Sequence, residues 1–179
     1  MAPRLKTQDM AYIAVFAALL AICAWISIPS TIPVTMQTFG VFFTLFLLGG
    51  RRGTFCVAVY LLLGAAGLPV FSLFRGGIGV LLSASGGYLL GFFPAALTVW
   101  TLEKKVKQRR TAQFFAGILS LIVCYTCGTV WYAAFFLPEG TQPMRIIFMS
   151  CVLPFIFPDI LKLLFAQFLA HRMKKHLRV

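Results

Sequence analysis

Four long stretches of this chain contain no Asp, Glu, Lys or Arg: Met10 to Gly50, Gly53 to Phe74, Gly76 to Leu102 and Thr111 to Pro138. A helix crosses the hydrocarbon layer of a bilayer with about 20 apolar residues. These runs therefore hold about five spans, the first run holding two, and an apolar segment ending near His171 adds a sixth. The chain is 60% hydrophobic and 11% charged, with a mean hydropathy of +0.93. Such values exclude an ordinary soluble domain. The expected fold is an all-α integral membrane protein, a six-transmembrane-helix bundle forming a single membrane domain over residues 1–179. The expected spans are approximately 10–28, 37–50, 53–70, 78–102, 111–137 and 157–173.

A formal net charge of +12 invites a nucleic-acid reading, but the positions of the cations exclude it. Thirteen of the 16 Lys and Arg fall at the two termini or on alternate loops, at Arg51–Arg52 and from Lys104 to Arg110. The intervening loops carry only Arg75 and Arg145. Cytoplasmic loops are enriched in Lys and Arg, so both the N and C termini are expected in the cytoplasm. The protein is then a multi-pass component of the cell membrane whose basic ends touch anionic lipid head groups. Arg4 and Lys6 before an apolar run also resemble a signal peptide, but bulky Ile22 stands where a lipoprotein cleavage box needs a small residue. An uncleaved first span is expected.

Within the expected spans, Arg172 at the basic end of the last one aside, only Asp159 and Lys162 are charged. Three residues apart, they project from nearly the same helix face. A charge facing lipid is costly, so such residues face a cavity or a partner and mark a site. Pro158 before them suggests that a helix begins there, with its free N–H groups near Lys162. A buried pair that only locks two helices together is the plainer alternative.

Other features supply contacts for such a site. The segment Pro29 to Thr38 cannot be continuous helix, and it is uncharged, so it is expected to fold against the bundle as a lid. Gln37 is its natural ligand contact. Arg75 can pair a carboxylate, and Gly76 and Gly77 beside it let backbone approach a ligand. Gly86 and Tyr88 open a further motif, in which Tyr88 offers a ring and a hydroxyl and Gly87-xxx-Gly91 favours close helix contact. Ala14 and Ala18, with Ala17 and Ala21, form small-xxx-small pairs that serve either bundle packing or docking of another subunit. Cys124-x-x-Cys127 lacks a second ligand pair, so buried free thiols are expected and no metal.

Four motifs then occur in order: Pro33-Val34-Thr35-Met36-Gln37-Thr38, Leu61 to Phe71, Gly86-Gly87-Tyr88-Leu89-Leu90-Gly91-Phe92, and Pro154-Phe155 through Asp159-x-x-Lys162. Across nearly its whole length the chain resembles BioY, the biotin-binding S component of energy-coupling factor transporters. That resemblance implies six membrane helices and biotin bound from the extracytoplasmic side. It also implies a transmembrane coupling subunit and two cytoplasmic ATPases as partners. By the same resemblance Ala14 and Ala18 match the docking face, and Asp159 and Lys162 match the family's Asp and Lys. The chain departs from the pattern at Ser83-Ala84-Ser85, where Gly-Pro-Thr is expected, at Arg75, and at Phe157-Pro158 before the aspartate.

Biotin suits these residues chemically. Asp159 is expected to accept from the ureido N–H groups and Lys162 to donate to the ureido oxygen, with Arg75 or loop backbone on the carboxylate. Alternatively Lys162 pairs the carboxylate itself. No cofactor is expected, biotin being the transported ligand. The chain contains no Gly-xxxx-Gly-Lys-Ser/Thr loop, so energy must come from partners. Two other readings remain: an S component or facilitator for another small vitamin, and an integral-membrane enzyme using Asp159 as base and Lys162 as stabiliser.

Overall fold

The computed structural model describes residues 6–28, 34–105, 110–136 and 152–175. Helix α1 spans Thr7–Trp25. A two-residue hairpin follows, β1 Ser27–Ile28 paired antiparallel with β2 Val34–Thr35. Helix α2 is Gln37–Leu48 and α3 is Gly50–Ala65. A 3-10 turn at Ser72–Phe74 and the single-turn α4, Ile78–Leu81, lead into α5, Gly86–Lys105. Helix α6 runs Arg110–Phe135 and α7 runs Leu153–Lys174. Among the described residues, α1, α6 and α7 are long and apolar enough to cross a membrane, and α2 is a shorter apolar helix.

Helix α2 is the centre of the bundle. Ten of its 12 residues are buried, as expected for a helix apolar on every face. At ~1.5 Å per residue it is only about 18 Å long, ending where Gly49 adopts φ +83°. That left-handed geometry favours glycine, and it lets α3 start at once. The first N–H of α3, on Gly50, donates to the Glu103 carboxylate at the end of α5. Gly50 has no alternative residue here, since a Cβ would fall 2.4 Å from the Trp100 Cα.

Helices α5 and α6 pack along each other through small residues. A Cβ on Gly87 would meet Trp131, one on Gly91 would meet Cys124 and Cys127, and one on Gly128 would meet the Tyr88 ring. Close backbone approach of this kind drives association where lipid supplies no hydrophobic force. The Ser120 hydroxyl donates to the Ala95 carbonyl at 2.8 Å across the same seam.

The helices alternate in direction, so the bundle has two chemically distinct ends. At one end Arg52 pairs with Asp9 at 2.8 Å, Glu103 caps α3, and Gln167 donates to the Arg110 carbonyl. The other end holds the hairpin, the 66–85 connection and the N-terminal halves of α5 and α7.

Two expectations are corrected. Pro158 does not begin a helix: α7 starts at Leu153, with Pro154 in its first turn and Pro158 one turn further in. Pro154 already occupies the position where a missing N–H costs nothing, and interior prolines are tolerated in membrane helices. Asp159 therefore lies roughly 9 Å from the helix start, away from its free N–H groups. The expected span 78–102 is also not one helix. Residues Leu82 to Ser85 form a turn in which the Ser83 hydroxyl bonds the Val80 carbonyl, and α5 begins at Gly86. Serine competing for backbone partners in this way stops helices. The prolines at 29 and 33, in the segment expected as a lid, lie outside the described residues.

Candidate functional site

The hairpin places Thr35 two residues before Gln37, and the Thr35 hydroxyl accepts the Gln37 N–H at 3.2 Å. Lys162 reaches in from α7, its Nζ donating to the Thr35 carbonyl at 2.7 Å and to Asp159 Oδ1 at 2.9 Å. The second carboxylate oxygen, Oδ2, accepts the Tyr125 hydroxyl from α6 at 2.6 Å. The ion pair thus joins α6, α7 and β2 and is almost wholly buried, the side chains of Lys162 and Asp159 being 12% and 6% exposed.

This cluster forms one wall of a cleft, and small-molecule sites are concave in this way. Gln37, Thr38, Ser72, Ser85 and Tyr88 supply polar groups around it, and Leu89, Phe92, Leu121 and Phe155 supply apolar wall. Gln37 is held from behind, its amide donating to the Tyr60 hydroxyl at 2.8 Å, which in turn donates to the Val70 carbonyl at 2.9 Å. A locked second layer of this kind fixes the rotamers that face a ligand.

The donor and acceptor inventory is specific. An ammonium has three N–H groups; Lys162 commits two, to Thr35 and Asp159, and keeps one. A carboxylate offers about four acceptor positions, of which Lys162 and Tyr125 fill two. The cluster thus retains one donor and two acceptor positions at the edge of the cleft.

Of the residues expected at the site, Asp159, Lys162, Gln37 and Tyr88 line this cleft together. Arg75, Gly76, Gly77 and Gly86 are not among its lining. Arg75 is exposed, and its Nε donates to the Ser72 carbonyl at 3.4 Å. Gly76 is packed against the Leu68 carbonyl, which a Cβ would approach to 2.1 Å. Gly77, at φ +92°, donates to the Gly64 carbonyl at 2.7 Å. Gly86 abuts the Leu81 carbonyl at the start of α5. These three glycines shape the backbone around the cleft. Ala14 and Ala18 are exposed on α1, whereas Ala17 and Ala21 on the adjoining face are buried.

Tyr125 and Thr35 were not expected. Tyr125 carried a weak signal, a phenol in the middle of an uncharged span, where a hydroxyl needs a partner. Thr35 acts through its backbone carbonyl, which no residue type announces. Cys124 also lines the cleft and is free, as are Cys23, Cys56 and Cys127.

Comparison with known proteins agrees with this architecture. The chain is 39% identical over 162 residues to the biotin transporter BioY of Thermotoga maritima, covering 90% of this chain and 92% of that one. It is 33% identical over 171 residues to the probable biotin transporter BioY of Pyrococcus horikoshii, covering 95% and 98%. A crystal structure of the S-component for biotin from an ECF-type ABC transporter shares the fold, with a TM-score of 0.84 over 96% of this chain and 95% of that one at 24% identity. The profile of the BioY family matches residues 1–179. With a family match along its full length, and with Asp159 and Lys162 paired at the head of the cleft, this chain belongs to the BioY family.

Proposed function

We propose that the chain takes up biotin, binding it in the cleft between the hairpin, α2, α5, α6 and α7 as the substrate-binding component of an ECF-type transporter. The observation that carries this reading is the residual inventory of the Asp159–Lys162–Tyr125 cluster. One free N–H and two free acceptor positions complement a ureido ring, which offers one carbonyl and two N–H groups. Leu89, Phe92 and Phe155 suit the apolar thiophane ring and the aliphatic tail. Arg75, joined to the lining residue Ser72, reads the carboxylate at the rim.

In this reading residues 1–179 are a single membrane domain of six spans in the cell membrane. The basic end and both termini lie in the cytoplasm, and the cleft opens on the extracytoplasmic side. The clustering of Lys and Arg at the end opposite the cleft supports that orientation. Energy for uptake comes from a transmembrane coupling subunit and cytoplasmic ATPases. The outward-facing Ala14 and Ala18 on α1 provide the close-contact surface for the coupling subunit.

The test is equilibrium binding of unmodified biotin to protein purified in detergent. One reversible site per chain is expected, uncompeted by thiamine or riboflavin and weakened at least about tenfold by Asp159→Asn, because losing one partner of a buried charged contact costs ~2–5 kcal/mol. Displacement by either other vitamin overturns the assignment of substrate.

A further inference from the structure

A second groove lies at the opposite end of the bundle, where the start of α6 meets the end of α7. Phe115, Leu164 and Phe168 form an exposed apolar floor. Arg110, Arg172 and Lys175 ring it with positive charge, and His171 lies between them. The Arg172 guanidinium rests over the Phe168 ring, 5.5 Å from its centroid, so the cationic rim and the aromatic floor are in direct contact.

The described carboxylates are engaged elsewhere. Among the described residues Asp9 is paired with Arg52, Asp159 with Lys162, and Glu103 is engaged at the Gly50 N–H. None of Arg110, Arg172 and Lys175 has a carboxylate partner among the described residues. Cations left unmatched beside exposed aromatic rings call for an occupant that is anionic at one end and apolar at the other.

The depth of the groove identifies that occupant. Tyr125 and Asp159 touch, which fixes the relative height of α6 and α7. Arg110 lies 15 residues before Tyr125, and Lys174 lies 15 residues after Asp159. At ~1.5 Å per residue Arg110 and Lys174 each lie roughly 22 Å along their helices from that contact, and Gln167, roughly 12 Å along α7, reaches across to donate to the Arg110 carbonyl at 2.5 Å. Against a hydrocarbon layer ~30 Å thick, a cleft in one leaflet puts these cations at the head-group level of the other. Basic pockets between membrane helices at that level suit anionic lipid heads.

We propose that this groove is a specific site for an anionic glycerophospholipid, its phosphate held by Arg110, Arg172 and Lys175 and its acyl chains lying over Phe115, Leu164 and Phe168. The lipid bridges the same two helices that Tyr125 and Asp159 join at the other end. The proposal rests on the membrane placement of the chain and is independent of which substrate fills the cleft.

The test uses the full chain in mild detergent. Melting temperature and lipid retained in native mass spectrometry are followed on addition of phosphatidylglycerol, of phosphatidylcholine with the same chains, or of inorganic phosphate. Phosphatidylglycerol is expected to raise the melting temperature and to be retained in preference to phosphatidylcholine, and inorganic phosphate is expected to do neither. Each surface cation contributes about fivefold to such binding. Arg110→Gln/Arg172→Gln/Lys175→Gln is therefore expected to lower phosphatidylglycerol affinity on the order of 100-fold, and Lys104→Gln/Lys105→Gln, at the neighbouring end of α5, to leave it unchanged. Lys175→Gln alone, expected to lose about fivefold, replaces the triple variant should that fail to fold. Equal response to the two lipids, a response to phosphate alone, equal losses in both multiple variants, or unchanged affinity in Lys175→Gln would each overturn the site.

Discussion

The phenol of Tyr125 and the carboxylate of Asp159 meet at 2.6 Å across the α6–α7 interface, although 34 residues separate them in the chain. That contact aims Asp159 Oδ2 and leaves Oδ1 to Lys162. A hydrogen bond to a charged group contributes ~1.5–3 kcal/mol. Tyr125→Phe, which removes only the hydroxyl, is expected to raise the dissociation constant for biotin by about tenfold or more in calorimetric titration. Wild-type affinity in this variant would take Tyr125 out of recognition.

The ion pair itself should show the asymmetry of buried charges. Removing one partner strands the other at a cost of ~3–5 kcal/mol, whereas replacing both with apolar groups can be nearly neutral. Asp159→Asn and Lys162→Met are each expected to lower the melting temperature. The double variant is expected to melt above both single variants and to bind no biotin. A double variant that melts at the sum of the two losses would show that the residues do not act as a pair.

Biotin amides with an uncharged tail decide what Lys162 reads. With its last N–H on the ureido oxygen, Lys162→Ala is expected to weaken biotin and its amides by the same factor. If Lys162 instead pairs the carboxylate, amide binding becomes insensitive to Lys162→Ala.

Gly128 is the floor beneath the Tyr88 ring, where a Cβ would fall 2.2 Å from Cδ1. Overfilling a packed contact typically costs ~1–3 kcal/mol. Gly128→Ala is expected to displace Tyr88 from the cleft wall and to weaken biotin severalfold, measured beside the melting temperature. Undiminished affinity at a lowered melting temperature would show that Tyr88 packs but does not bind.

Ala14 and Ala18 are exposed, so Ala14→Leu/Ala18→Leu should change stability by no more than about 0.5 kcal/mol and leave biotin binding intact. Co-purification with a coupling subunit is expected to be lost. Retained co-purification would place the docking surface elsewhere.

What could be read from the residues was mostly what single residue types decide. Charge-free runs gave the helical membrane class, and Asp159 and Lys162 stood out because charge is rare inside a span. The glycines were legible as close contacts but not as to which partner they meet: Gly87 touches Trp131, while Gly76, Gly77 and Gly86 turned out to fit backbone against backbone. Pro158 was misread as a helix start because Pro154, which holds that position, sits inside an apolar run that looks continuous. The parts played by Tyr125, which carries only a weak signal, and by Thr35, which carries none, depend on long-range registry between α6, α7 and the hairpin. Registry of that sort is set by packing of the whole bundle, and no local pattern encodes it.

The pairing of Lys162 with Asp159 is electrically self-cancelling. The pair therefore adds no net charge to the cleft, and what the loaded cleft gains over the empty one is the single negative charge of the vitamin. In the orientation proposed above, a negative interior opposes the inward passage of that added charge by ~2.3 kcal/mol per 100 mV for full traversal. Accumulation then runs uphill electrically as well as in concentration, and a ligand with a neutral tail escapes the electrical part.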